Sequence, residues 1–178
     1  CFALHGGTAI NLFVRDMPRL SIDIDLTYVP IEPWDETLKN IELALGRIQR
    51  ELEKTFTVTV LHQIPACKLL VSSKSAQIKV EVNPVSRGVI GPVEKKVLCK
   101  RAQEQFDVFS AIAVVPTGQL YGGKICAALS RQHPRDLFDV KYLLSNEGFS
   151  SAIKTGFIYC LLSSSSPIHE VIRPNLHD

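Results

Sequence analysis

His5-Gly6-Gly7-Thr8 is followed a short apolar segment later by Ser21-Ile22-Asp23-Ile24-Asp25-Leu26. The apolar run Cys1-Phe2-Ala3-Leu4 reads as a strand ending at a glycine turn. Thr8 is a suitable N-cap for a helix over residues 9–15, closed by Pro18. Residues 20–29 then alternate. Leu20, Ile22, Ile24 and Leu26 face one way and Ser21, Asp23, Asp25 and Thr27 the other, as in a half-buried strand. The chain therefore opens as strand, turn, helix and strand, with two carboxylates beside a glycine turn.

Outward from this unit, Pro30 and Pro33 interrupt the chain and Asp35 is placed to cap a helix to about Lys54. Leu38, Ile41, Leu45, Ile48 and Leu52 recur at spacings of three and four, an amphipathic stripe that needs a core to lie on. Residues 56–63, 67–73 and 76–83 read as strands. In the last, Ile78, Val80 and Val82 form the apolar face and Lys79, Glu81 and Asn83 the other. Pro84 to Pro92 reads as a loop, and 94–99 and 108–115 as weaker strands. Residues 117–146 read as helical, restarted at Pro134 and ended by Gly148. A helix over about 149–162 follows, then a serine turn (Ser163 to Pro167) and a tail from Ile168 to Asp178 that reads as the start of something incomplete. This order predicts an α+β fold, with a core over residues 1–115 and a helical part over 116–178.

With 178 residues, 46% apolar and 21% charged, the chain can bury a real core and is not of disordered composition. No apolar run approaches the roughly 20 residues of a membrane span. The N-terminal residues have neither the basic flank nor the cleavage site of a signal peptide. The first residue is not Met and the motif begins at once, so a preceding segment is expected to be missing. The five cysteines (Cys1, Cys67, Cys99, Cys126, Cys160) are scattered, odd in number and without CxxC spacing. That pattern argues against a zinc site and suits a reducing cytoplasm, with most of them small buried apolar residues. A net charge of +2 neither favours nor excludes nucleic acid, which would need a local basic patch.

Residues two apart on a strand share a face about 6–7 Å apart. Asp23 and Asp25 could thus reach around metal ions spaced about 3.5–4 Å. Taken alone, a DxD is more often a polar row on an amphipathic strand. Aspartate is a poor strand former, however, so two inside a strong β pattern need a reason. Backbone N–H groups at a helix start can bind an anion, and glycine lets a phosphate approach. Gly6, Gly7 and Thr8 beside the two carboxylates would complete a place for a metal-bound triphosphate. Glu81 could add a third metal-binding carboxylate or a general base, or be a surface partner of Lys79. Lys124, among small and apolar neighbours, could reach a phosphate or lie solvated on its helix. Arg131, Arg135, Asp136 and Asp139 gather around Pro134. They either stabilise a helix N-terminus or orient Lys124 or a substrate.

Five segments taken together resemble the AbiEii/AbiGii-type nucleotidyltransferase toxins of the DNA polymerase β-like superfamily. They are Leu4-His5-Gly6-Gly7-Thr8-Ala9, Arg19-Leu20-Ser21-Ile22-Asp23-Ile24-Asp25-Leu26, Ile78-Lys79-Val80-Glu81-Val82-Asn83, Gly123-Lys124 and Pro134-Arg135-Asp136-Leu137-Phe138-Asp139. The resemblance runs from Phe2 to about Pro174. It implies a polymerase β-like core, a mixed sheet with helices, followed by a helical C-terminal part. It also implies Mg²⁺- or Mn²⁺-dependent transfer of a nucleotide from an NTP to an acceptor hydroxyl. On that resemblance Asp23, Asp25 and Glu81 are metal ligands, and Gly6, Gly7 and Thr8 hold the phosphates. Lys124 contacts the triphosphate, and Asp136 matches the family's late aspartate. The implied partners are an RNA acceptor, tRNA foremost, and a cognate antitoxin, with no membrane. Thr8 stands where relatives often carry serine, and His5 where a lysine is common. Relatives usually continue beyond Asp178, so the chain is expected to be shortened at both ends. Two other functions fit the residues: the same chemistry on a small molecule such as an antibiotic, and a catalytically silent nucleotide- or partner-binding module.

Overall fold

The computed structural model describes residues 1–63, 66–84, 86–164 and 166–175. Residues 64 and 65, Val85 of the loop after Pro84, Ser165 of the serine turn and the last three residues of the tail lie outside them. The chain forms two compact units, Cys1–Gly88 with Lys95–Val114, and Val89–Glu94 with Val115–Asp178.

The first unit is built on a mixed sheet. Its strands are β1 (Phe2–His5), β2 (Ile24–Tyr28), β3 (Thr57–Gln63), β4 (Ala66–Ser72), β5 (Gln77–Asn83), β6 (Glu94–Val97) and β7 (Ala111–Val114), in the order β3-β4-β5-β2-β1-β7-β6. β1 runs antiparallel to β2 and parallel to β7, β2 runs parallel to β5, and β3-β4-β5 form an antiparallel meander. Alternation puts Leu4, Leu26, Leu69, Val80 and Val82 in the core. The helix α2 (Trp34–Leu52) lies against β3 and β4 and buries Thr37 together with Ile41 and Leu45 of the predicted stripe. Its entry is pinned by Glu32, which accepts from the Tyr28 hydroxyl at 2.6 Å and from Asn40 Nδ2 at 2.7 Å.

Four details depart from the local reading. The first helical turn, α1 (Gly6–Thr8), starts at Gly6, so Thr8 lies inside it instead of capping it, and the chain continues as a π-helical segment over Ala9–Val14. Asp35 sits in the first turn of α2, and Pro33 occupies the capping position. β2 begins only at Ile24, leaving Leu20 58% and Ile22 51% exposed. The cause is a side chain: the Asp23 carbonyl accepts from the Thr8 hydroxyl, so the segment before Ile24 is bonded to the helical turn. A helix not anticipated, α3 (Lys100–Phe106), has its N-terminus capped from a distance, with Asp16 Oδ1 accepting from the Arg101 N–H at 2.9 Å. Met17, Leu98 and Ala102 form a small core beneath it, with Leu12, Phe13 and Cys99 packed alongside.

The second unit is helical: α4 (Thr117–Arg131), α5 (Pro134–Asn146), α6 (Ser151–Leu162) and α7 (Ile168–Ile172). Pro134 opens α5 where its missing N–H costs nothing, and Ser150 Oγ caps α6 through the Ile153 N–H. α4 and α6 meet backbone to backbone. A Cβ on Gly118, Gly122 or Gly156 would overlap main-chain atoms of the other helix. The five cysteines are free; Cys1 is exposed and the others are half-buried. Burial pushes the Cys126 thiol up to about 12 and Cys160 up to about 11, so neither is a reactive thiolate at neutral pH. Among the described residues no helix is long and apolar enough to cross a membrane.

Candidate active site

The glycine turn and the start of β2 are built around each other. Gly6 has φ +75°, a conformation that favours glycine. A Cβ placed there would stand 2.5 Å from Asp25 Oδ2, so the carboxylate lies directly over the Gly6 backbone. The register explains this, since His5 is paired with Asp25 across β1 and β2. A Cβ on Gly7 would stand 2.8 Å from Ser21 Oγ and 3.0 Å from Arg19 Nη2. The Thr8 hydroxyl bonds both the Asp23 carbonyl and, at 3.2 Å, Ser21 Oγ. A carbonyl can only accept, so Thr8 donates to Asp23 and Ser21 supplies the proton shared between the hydroxyls. Asn11, fully buried, donates from Nδ2 to the Gly7 carbonyl at 2.9 Å and fixes the turn from behind.

A polar row crosses the sheet from this point. Asp25 is in register with Glu81 on β5, and Glu81 with Lys68 on β4. Lys68 Nζ lies 2.9 Å from Glu81 Oε1, and Lys79 Nζ 2.8 Å from Oε2. Burial would raise the Glu81 pKa, but the hydrogen bonds from Lys79 and Lys68 outweigh it and hold the carboxyl below 4.5. The Lys79 ammonium is raised first by its bond to Glu81, and it also feels the charges of Asp23 and Asp25. The Lys79–Glu81 pair weighed from sequence is thus present, extended by Lys68.

For a divalent ion, the donors beside the turn are carboxylate oxygens, the hard set that Mg²⁺ prefers. Among the described residues no three His, Cys, Asp or Glu side chains are gathered to hold one metal ion. The carboxylates of Asp23 and Asp25 are the donor type that Mg²⁺ accepts alongside phosphate and water. Both oxygens of Glu81 are engaged by lysines, so it offers no ready third ligand or base.

The second unit carries its own charged cluster. Lys124 is only 7% exposed, so it is not a solvated helix lysine. Its Nζ lies 2.8 Å from Asp136 Oδ1 and 3.2 Å from Asp139 Oδ2. Arg131 Nη2 adds a contact to Asp136 Oδ2 at 2.8 Å. Burial would raise the Asp136 pKa, but Lys124 and Arg131 bring it below 3.8. Asp136 and Asp139 both contact Lys124, and Asp136 also lies in the first turn of α5, as the helix-N-terminus reading has it.

Within the first unit the structure brings together Gly6, Gly7, Thr8, Asp23 and Asp25, with Glu81 in register. Within the second it gathers Lys124, Asp136, Asp139 and Arg131. Sequence reasoning passed over Arg19, Ser21, Asn11 and Lys68 as site residues. Arg19 and Ser21 share the alternation of Asp23 and Asp25, and that pattern could have marked them.

A family model, the nucleotidyl transferase AbiEii toxin of type IV toxin–antitoxin systems, matches residues 1–163. The chain belongs to the AbiEii nucleotidyl transferase toxin family. The glycine turn, the DxD segment and the Lys124–Asp136 cluster all fall within the part matched to AbiEii. A solved structure of similar fold is MenT4, a nucleotidyltransferase toxin from Mycobacterium tuberculosis H37Rv, with a TM-score of 0.64 and 16% identity. The match covers 91% of this chain and 56% of MenT4, so the chain spans little more than half of that protein's length. No curated protein matches the sequence at significant similarity.

Proposed function

We propose that this AbiEii-family chain transfers a nucleotidyl group from an NTP to an acceptor hydroxyl, as the toxin of a toxin–antitoxin pair acting in the cytoplasm. The observation that carries the reading is the Asp25 carboxylate laid on Gly6, with Asp23 stapled to the same turn through Thr8. Asp23 and Asp25 would hold Mg²⁺ or Mn²⁺, which when bound supplies charge neutralisation at the transferring phosphoryl group. The chain's part is mainly positioning. The Gly6–Gly7 turn, with Asp25, Ser21 and Arg19 closed against it, would present its backbone N–H groups to phosphate oxygens; Thr8 and Asn11 hold the turn's shape, and Glu81 holds Lys79 within reach of the aspartates' charge. The acceptor oxygen forms a bond to the α-phosphorus, the bond to the bridging oxygen breaks, and pyrophosphate leaves. The acceptor proton passes to solvent or product phosphate, since a carboxyl held low by two lysines is a weak base. We assign Lys124 a triphosphate contact, set by Asp136 and Asp139. We take RNA, tRNA foremost, as the acceptor class and an antitoxin as the regulator.

The test is labelled-NTP transfer with Mg²⁺, offering total RNA and, separately, an aminoglycoside, for wild type and Asp25→Ala. Label on RNA that falls at least a hundredfold in Asp25→Ala is the expected result. Equal labelling by both proteins would remove the carboxylate from the chemistry, and label on the drug alone would replace RNA with a small molecule. Lys124 variants are poor probes here. Removing that ammonium takes a partner from two buried carboxylates and leaves Asp136 to Arg131, a loss of about 3–5 kcal/mol that would mix stability with activity.

A further inference from the structure

We propose that the outer face of α5 docks an acidic amphipathic helix of a partner protein. The proposal stands apart from the nucleotidyl-transfer reading. α5 is turned inside out. It buries Asp136 and Asp139 against Lys124, and so leaves Leu137 50% and Leu144 55% exposed, with Phe138 beside them. Leu137, Lys141 and Leu144 recur at four and three residues, one stripe about 10 Å long on the side away from the aspartates. Pro134, Phe138 and Ser145 flank the stripe and with it line a groove of about 520 Å³. An apolar surface of this kind, left outward on a helix, marks an interaction site.

Charge selects the occupant. The carboxylates of α5, Asp136 and Asp139, are both buried. Its exposed side carries Arg135 and Lys141, and neither side chain forms an ion pair among the described residues. Two copies of α5 packed antiparallel about the middle of the stripe would set Lys141 against Lys141, which opposes self-docking. Single-stranded RNA takes aromatic platforms and denser positive charge than a leucine-lined groove with two cations offers. A helix with apolar residues at the same spacing covers the leucines, ridge into groove. Its Asp or Glu side chains then reach Lys141 and Arg135.

The experiment is fluorescence-anisotropy titration of the purified chain with two hydrocarbon-stapled helical peptides. Both carry leucines at positions i, i+4 and i+7; one is flanked by glutamates and the other by lysines. Wild type, Leu144→Ser and Lys141→Glu are compared, with thermal unfolding and sedimentation velocity of each. Both positions are exposed, so unfolding temperatures near wild type are expected. The glutamate peptide should bind wild type about tenfold or more tightly than the lysine peptide, and Leu144→Ser should weaken it about tenfold. Lys141→Glu should erase or reverse the preference. No binding of either peptide, equal binding of both to wild type, or glutamate-peptide affinity unmoved by the two substitutions would overturn the proposal. So would a wild-type dimer that Leu144→Ser dissociates, which puts a second copy on this face. Displacement of the peptide by a single-stranded RNA would replace the protein partner with nucleic acid and overturn it as well.

Discussion

At the scale of single residues, the site depends on atoms that are absent. Gly6 has positive φ and carries the Asp25 carboxylate where a side chain would stand. Gly6→Ala should cost about 1–3 kcal/mol through backbone strain and overpacking. In the Asp25→Ala background that cost should shrink towards the backbone part alone, because the carboxylate oxygen is gone. A double-mutant cycle by urea denaturation measures the difference, and strict additivity would refute the contact. Thr8 shows how a residue can be noticed correctly for a reason the fold does not use. Its hydroxyl was read as a cap, yet it bonds the Asp23 carbonyl, fifteen residues away. A cap is a local hydrogen bond, and this one depends on where β2 returns.

At the scale of elements, periodicity carried most of the reading. The stripe of α2 and the alternation of β5 appear in the structure because each needs only one buried face. α3 did not show itself, because its cap comes from Asp16 and its core partner Met17 lies about as far away in sequence. The π-helical stretch, with Arg15 N–H donating to the Ile10 carbonyl, likewise has no local signature. The α4–α6 contact was not read from the sequence, although Gly118, Gly122 and Gly156 are costly inside helices unless something approaches closely. Gly156→Ala would press its methyl into the Gly118 carbonyl, and a loss of about 1–3 kcal/mol or more is expected in chemical denaturation. Gly46→Ala, on α2 with open space around it, should instead be neutral or stabilising.

For the whole molecule, the paired carboxylates set the response to acid. Asp136 is held below its ordinary 3.8 and Glu81 below its ordinary 4.5. A carboxyl whose folded pKa is depressed contributes fully above its unfolded pKa, and the contribution is lost as pH falls through the folded value. Stability should therefore be level from about pH 7 to pH 5 and decline below about pH 4.5. Urea midpoints across pH 3–7 measure this. In Glu81→Gln the onset of the decline should move towards the lower range of Asp136. An unchanged profile would remove the Lys68–Glu81–Lys79 group from the acid response.

What the sequence by itself determined was short-range. It showed the α+β order of elements, the apolar faces, the glycine turn beside two aspartates, and the motif set that belongs to the AbiEii family. These follow from spacings of two, three and four residues, which the backbone geometry of strands and helices makes visible locally. Only the tertiary structure decided which partner each polar group takes. It exposed Leu20 and Ile22, turned Thr8 from a cap into a staple, gave Glu81 two lysines, laid Arg19 over Gly7 and buried Lys124 between two aspartates. Hydrogen bonds and charge pairs are satisfied by whatever the fold brings near. A partner thirteen or eighty-five residues away leaves no mark on the spacing around either end.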